Sequence, residues 1–291
     1  MEKIVILGAN GQLGKELNLH LKSKYDVYPL TKLDCDISNK YELTKSLNNI
    51  KPSIIINAAA YTNVDDAETE FNKANNINNT SLIELSKLSN SLNSVLIHFS
   101  TDYVFSGSCK TPIPENAKKK PINSYGKTKH LGEENIIRNT KKYYIFRIGW
   151  VYGKHGDNFP KKIISLAKNR KVLKIIDDQI GIPTSTKFLA KIIEKIIKNK
   201  NFREVYGVYN LSPNGSASWY SFAKLIIKKL ENEAGHSLKA TTLIPVKTHE
   251  FPTKAKRPKY TCLSNEKIVN MFKINPQSWE IHFNDTFKEL L

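Results

Sequence analysis

The stretch Ile4-Val5-Ile6-Leu7-Gly8-Ala9-Asn10-Gly11-Gln12-Leu13-Gly14, with Leu17 and Leu21 spaced beyond it, decides the fold. Four apolar residues of strand length run into glycines at three-residue intervals, and leucines then recur at helical spacing. Strand, glycine turn and helix in that order form the opening unit of a dinucleotide-binding α/β sheet. Gly8 gives the tight turn, Gly11 lets a pyrophosphate approach the backbone, and Gly14 lets the helix pack closely on the strand. The turn residues Asn10, Gln12 and Leu13 complete the candidate phosphate site at the N–H-rich helix start. The G-x-x-G-x-x-G spacing departs from the common G-x-G-x-x-G. Its flanking elements therefore carry the assignment.

Outward from this unit, a second strand over Val27 to Leu30 ends about 20 residues on, where a ribose-reading side chain is expected. The sequence offers Thr31 and Lys32 there, not a carboxylate. A cation suits a 2′-phosphate, so Lys32 favours NADPH, with NADH left open. Asp36 and Ile37 are placed to edge the adenine. After a helix over 40–49, a strand from Ser53 to Asn57 runs into Ala58-Ala59-Ala60, three small residues that let a flat ligand lie against the backbone or let a helix pack tightly. A long helix over Phe71 to Asn90 precedes a strand from Val95 to Phe99 that delivers Ser100 and Thr101. The next strand, Tyr143 to Ile148, ends at Gly149-Trp150. Ligands of open α/β sheets bind outside the carboxyl ends of the strands, so glycine turn, alanines and Thr101 converge on one crevice.

This alternation predicts an α/β fold: a Rossmann-type doubly wound parallel sheet with a smaller C-terminal α/β lobe. Residues 1–150 form the nucleotide-binding domain, completed by a later segment near 180–210, and 151–291 form mainly the substrate-binding lobe. In the second half, helices are expected over 158–169, 187–199 and 218–232, with strands over 172–176, 205–211 and 241–245.

Composition narrows the classes. A hydrophobic content of 40% excludes disorder as the default. The formal charge of +18 invites phosphate-bearing partners, but the lysines alternate with apolar residues on helical faces, as in 161–171 and 187–200. No nucleic-acid-binding motif accompanies them. No apolar run reaches the ~20 residues of a membrane span. Cys35, Cys109 and Cys262 share no metal or redox spacing, which points to a reduced cytoplasmic setting. The seven histidines form no metal-binding pair, so no metal site is expected, and His98 reads as a satisfied core residue.

Within Tyr125-Gly126-Lys127-Thr128-Lys129, the tyrosine and Lys129 are four apart and share a helical face. A nearby ammonium favours a phenolate, which would bring Tyr125 into range for general acid or base chemistry.

Further motifs are G-A-N-G-Q-L-G at Gly8–Gly14, N-A-A-A-Y-T-N-V-D-D-A-E at Asn57–Glu68, S-T-D-Y-V-F at Ser100–Phe105 and Y-G-K-T-K-H-L-G-E at Tyr125–Glu133. They continue with W-V-Y-G at Trp150–Gly153, D-Q-I-G-I-P-T at Asp178–Thr184, Arg257-Pro258 and Leu263-Ser264. In this order they resemble, nearly end to end, the extended short-chain dehydrogenase/reductases and within them the dTDP-4-dehydrorhamnose reductase family. The resemblance implies NADPH-dependent reduction of the 4-keto group of a dTDP-linked 4-dehydro-6-deoxy sugar in polysaccharide biosynthesis. It implies Tyr125 as proton donor, Lys129 as the residue that binds the nicotinamide ribose and lowers the phenol pKa, and Thr101 as the hydroxyl on the substrate carbonyl. Thr62, Val64, Tyr103 and Trp150 would surround the sugar, although Trp150 reads equally as a core aromatic. Some members hold a divalent cation at a dimer interface through acidic residues. Glu16 and Glu289 match two of those positions and Lys187 stands at a third, so a monomer or weak homodimer without a bridging cation is expected. Three rivals share the fold: a reductase acting on a different nucleotide 4-keto-6-deoxy sugar, a dehydratase or epimerase, which would carry Asp-Glu where this chain has Asp102-Tyr103, and a non-catalytic NADP-binding regulatory subunit.

Overall fold

Six short strands form one parallel sheet; the four inner ones, at 3–7, 54–57, 95–101 and 143–148, are apolar runs buried almost without interruption, while the edge strands at 26–30 and 207–210 are half-buried. Continuous apolar strands of this kind are what a sheet covered on both faces requires. A computed structural model describes residues 2–233 and 238–291. Its main strands are β1 (Lys3–Leu7), β2 (Asp26–Leu30), β3 (Ile54–Asn57), β4 (Val95–Thr101), β5 (Tyr143–Ile148), β6 (Val172–Ile176), β7 (Gly207–Asn210) and β8 (Thr242–Val246). The helices are α1 (Gln12–Leu21), α2 (Lys40–Ile50), α3 (Phe71–Asn75), α4 (Ser81–Ser91), α5 (Ser124–Asn139), α6 (Phe159–Asn169), α7 (Thr186–Ile197), α8 (Trp219–Glu233), α9 (Glu266–Phe272) and α10 (Trp279–Phe287). The central sheet runs β7-β5-β4-β3-β1-β2. Its order reverses at β1, leaving a crevice where the carboxyl ends of β1 and β3 diverge.

Alternate strand residues feed opposite faces. Ile4, Ile6, Ile54, Ile56, Tyr144 and Phe146 pack beneath α1 and α7. Val5, Leu7, Ile55, Leu96 and Ile145 pack against leucines of α2 and α4. A separate cluster gathers apolar residues of α6, α8 and α10 over β6, and β6 pairs with β8. Chain from the second half therefore returns to the nucleotide-type sheet: β7 pairs with β5, and α7 packs on α1. There Glu194 of α7 lies 2.8 Å from Lys24 and 2.6 Å from His20 of the α1 region.

Three observations depart from expectation. The long helix over 71–90 is interrupted at Asn76–Thr80 by a π-helical turn. That turn frees Asn78 to bond the backbone of Tyr61 through both ends of its amide and to reach the Thr128 hydroxyl at 3.2 Å. Helix α5 comes close enough here that a Cβ on Gly132 would sit 2.1 Å from the Asn78 carbonyl oxygen. The strand expected over 205–211 is confined to Gly207–Asn210. Helices α9 and α10, absent from the sequence expectations, close the C-terminal region.

Charge is also buried where the sequence shows only an arginine in an apolar strand. Arg147 of β5 and Glu133 of α5 are 1% and 0% exposed. Arg147 donates through Nε and Nη2 to the two Glu133 oxygens at 2.9 and 2.7 Å, and through Nη1 to the Glu115 carbonyl at 2.9 Å. The Ser100 hydroxyl donates to Glu133 at 2.6 Å. Removing one partner of a fully buried pair strands the other, at a cost of about 3–5 kcal/mol. Arg147→Met is expected to lose that much stability in urea unfolding, and a loss below about 1 kcal/mol would contradict this account.

Candidate active site

The site assembles from strand ends. At the end of β1, Gly8 takes φ 76° and the chain turns into α1. A Cβ on Gly14 would stand 2.2 Å from the Gly8 carbonyl oxygen, so only glycine lets the helix start this close to the strand. After β3, Ala58, Ala59 and Ala60 form the neighbouring wall. After β4, Thr101 opens a short turn in which its Oγ1 accepts the Tyr103 N–H at 3.1 Å. Asn123 caps α5 by accepting the Gly126 N–H at 2.7 Å, which fixes the helix start beside Tyr125.

These ends enclose a cavity of about 830 Å³. Of the residues singled out from sequence, Gly8, Asn10, Gly11, Gln12, Leu13, Lys32, Asp36, Ile37, Ala58, Ala59 and Ala60 line it, as do Thr62, Val64, Thr101, Tyr103, Tyr125, Lys129 and Trp150. Gly14 lies behind the lining, in the helix–strand contact. The cavity also includes Asn57, Asp102 and Trp219, which sequence reasoning left out. Trp219 of α8 stacks face to face on Trp150, with ring centroids 3.4 Å apart. Trp150 adopts φ 47°, an uncommon value for a bulky residue, and its ring edge fills the space a Cβ on Gly181 would need. It is thus both a packed aromatic and a wall of the cavity. Trp219 carries no local motif, and only the fold brings it to the site.

At the cavity mouth Lys32 is an exposed side chain 3.4 Å from Asp36. Ser38 donates to Asp36 through N–H and hydroxyl at 2.9 and 2.7 Å. Burial opposes the Asp36 charge, but the Ser38 bonds and Lys32 outweigh it and hold the carboxyl below its ordinary value.

At the inner end, Tyr125 packs edge-on against Tyr103, with centroids 6.1 Å apart, and its hydroxyl meets Thr101. Thr101 donates to Asp102 at 3.0 Å. Burial raises the Asp102 carboxyl to about 6. Lys129, 1% exposed, donates to the Phe99 carbonyl at 2.7 Å, and its Nζ lies 3.1 Å from His98 Nε2. The expected depression of the Tyr125 phenol is corrected by this geometry. Burial drives the phenol up to about 12 despite the Thr101 bond. Burial likewise drives Lys129 down to about 7, against the pull of Glu133. Burial opposes the charged form of both groups, an effect that the spacing alone does not reveal.

Away from the cavity, Lys187 donates to Glu289 at 2.7 Å, which raises the lysine above its ordinary value. Among the described residues no group of three or more His, Cys, Asp or Glu side chains could hold a metal ion. No helix among them is long and apolar enough to cross a membrane.

A parallel sheet reversing at a glycine turn, with a Tyr-x-x-x-Lys helix against a strand-end threonine, defines the class: a Rossmann-type oxidoreductase of the extended short-chain dehydrogenase/reductase kind. The family model described as RmlD substrate binding domain matches residues 1–291, and the chain belongs to that family. It is 37% identical over 290 residues to the spore coat polysaccharide biosynthesis protein SpsK of Bacillus subtilis, covering 99% of this chain and 98% of that one. It is 37% identical over 283 residues to the dTDP-4-dehydrorhamnose reductase of Salmonella typhimurium, covering 96% and 94%. The crystal structure of dTDP-4-dehydrorhamnose reductase from Bacillus anthracis in complex with NADP superposes with a TM-score of 0.92 at 38% identity, covering 99% of each chain.

One ion pair ties the segment that follows β3 to the C-terminal part of the chain. Arg257 grips Asp65, one residue beyond Val64, through Nη1 and Nη2 at 2.8 and 2.6 Å. The Arg257 bond holds the Asp65 carboxyl down at about 2, from an ordinary 3.8. A carboxyl depressed on folding stabilises the protein fully above its unfolded value, and the contribution fades as pH falls through the folded value. The stability advantage of the wild type over Arg257→Met should therefore be constant above about pH 4 and shrink towards pH 2. Urea unfolding across that range checks it, and an advantage that grows on acidification would contradict it.

Proposed function

We propose that this chain catalyses the NADPH-dependent reduction of the 4-keto group of dTDP-4-dehydro-6-deoxy-L-mannose (dTDP-4-dehydrorhamnose) to dTDP-L-rhamnose, with Tyr125 as proton donor. The observation that carries this reading is the meeting of Thr101, Tyr125 and Lys129 in the same cavity as the glycine turn and the alanine wall. The NADP bound by the Bacillus anthracis relative and the activity named for the Salmonella relative support it.

The glycine turn and first turn of α1 offer backbone N–H groups to a pyrophosphate. Ala58 to Ala60 offer a flat wall, and Lys32 stands at the mouth, free to exchange Asp36 for a 2′-phosphate. NADPH bound there supplies the hydride. Negative charge then develops on the carbonyl oxygen, and Tyr125 and Thr101 are the hydroxyls placed to meet it. A phenol raised by burial holds its proton until that charge appears, which suits a donor acting late in hydride transfer. Tyr103 in place of a glutamate leaves the site without the acid/base pair that carbon deprotonation requires, so chemistry stops at reduction. Thr62, Val64 and Trp150 lie along the same cavity as the sugar subsite, and we place this activity in the cytoplasm.

Purified protein should oxidise NADPH only when the dTDP-4-keto-6-deoxy sugar is supplied. Tyr125→Phe should lower kcat by about 10²–10⁴ while leaving cofactor affinity near wild type. A variant within about threefold of the wild-type rate would remove Tyr125 as donor. Lys187 already neutralises Glu289, so we read the chain as a monomer or weak homodimer without a bridging cation. Turnover should be unchanged by EDTA, whereas activity lost to EDTA and restored by Mg²⁺ would overturn that reading.

A further inference from the structure

Behind Lys129 a line of buried polar groups runs back into the sheet. Asn57 at the end of β3, His98 in β4 and Lys129 in α5 are each 1% exposed. The Ala59 backbone N–H donates to Asn57 Oδ1 at 3.1 Å. A backbone N–H can only donate, so this contact fixes which end of the Asn57 amide is oxygen. The other end, Nδ2, lies 3.1 Å from His98 Nδ1. An amide nitrogen also only donates, so His98 Nδ1 is the acceptor and bears no proton. A neutral imidazole carries its single proton on the other nitrogen, here Nε2, and Nε2 is the atom 3.1 Å from Lys129 Nζ. An ammonium has no lone pair to receive that proton, whereas a neutral amine has one. The Phe99 carbonyl, 2.7 Å away, accepts from either form and does not choose between them.

We propose that Asn57 and His98 form a tautomer lock that holds Lys129 as a neutral amine in the cofactor-free protein, which makes His98 a positioning residue for the reaction. The catalytic consequence rests on the reading of the site as a reductase. The lock itself rests only on the donors and acceptors named. Charging Lys129 requires one of two rearrangements. The His98 proton moves to Nδ1, where it faces the Asn57 NH₂ at 3.1 Å, or the Asn57 amide turns over and abandons the Ala59 N–H. Each leaves a buried donor without an acceptor, which is costly in a dry interior.

The charged and titratable surroundings agree. From β4, His98 faces the amine, and burial with Lys129 beside it holds the imidazole well below its ordinary value, so it stays neutral. From α5 itself, Glu133 favours the ammonium, but its oxygens are engaged by Arg147 of β5 and Ser100 of β4. Tyr125 lies one turn back on α5. Beyond it Asp102 acts on the phenol. Ala59 lines the cavity as well as holding the Asn57 oxygen, so a ligand laid on the alanine wall bears on the same amide that sets the charge of Lys129.

The test uses the full chain, labelled with ¹⁵N and free of cofactor. Long-range ¹H–¹⁵N correlations of His98 should show the proton on Nε2, and a proton on Nδ1 overturns the lock without recourse to any variant. The Lys129 ¹⁵Nζ resonance should titrate with a midpoint well below that of an ordinary lysine. His98→Gln can turn an acceptor oxygen to the ammonium, and should raise that midpoint by about one pH unit or more. The corresponding limb of the kcat/KM–pH profile should move with it. A fall in rate with an unmoved midpoint and an unmoved profile assigns His98 a purely structural part and overturns the proposal. If the wild type shows the Nε2 proton but does not turn over the keto-sugar, the lock stands and the reductase reading falls.

Discussion

The buried pairing of Arg147 with Glu133 is the constraint on which the active half of the molecule depends. Glu133 lies two turns beyond Tyr125 on α5, and Arg147 lies in β5 beside Ser100 of β4. A helix held on a sheet by apolar contacts alone can rotate or slide by a fraction of a residue at little cost, because hydrophobic attraction has no direction. A two-pronged guanidinium–carboxylate bond has direction. By fixing Glu133 it fixes the azimuth of the whole helix, and hence which way Tyr125 and Lys129 point. The Ser100 bond ties the same carboxylate to the strand that carries Thr101. Thr101, Tyr125 and Lys129 are thus referenced to one buried charge pair, and the Asn123 cap sets where the helix begins.

Much of this was legible in the sequence, for identifiable reasons. The glycine turn could be read because Gly14 stands where any side chain would strike the Gly8 carbonyl. The strands could be read because both faces are covered, which demands unbroken apolar runs. The crevice could be located because β1 and β3 end in the two segments of small residues.

What was not legible depended on contacts distant in sequence. Arg147 and Glu133 look like ordinary charges until the fold buries them against each other. The π turn at Asn76–Thr80 serves Tyr61 and Thr128, which lie many residues away on either side. Trp219 meets Trp150 only because α8 comes back over the cavity. The Tyr125–Lys129 pair was found by spacing, but its electrostatics were misjudged, since spacing says nothing of burial. Burial is the larger effect on both groups here, and it moves both towards their neutral forms. Lys162, Lys168 and Lys195 are exposed on helices whose other faces form the cores.

The stacked indoles of Trp150 and Trp219 carry one more implication. One belongs to the segment that leaves β5 and the other to α8, so the two rings meet across the seam between the sheet and the C-terminal cluster. Chromophores stacked in parallel planes at van der Waals distance share their excited states, and the sharing decays steeply as they slide or part. The chain has only three tryptophans. Any displacement of one ring against the other therefore alters its near-ultraviolet dichroism, which makes the fit of the C-terminal cluster on the sheet an optical property of the unlabelled protein.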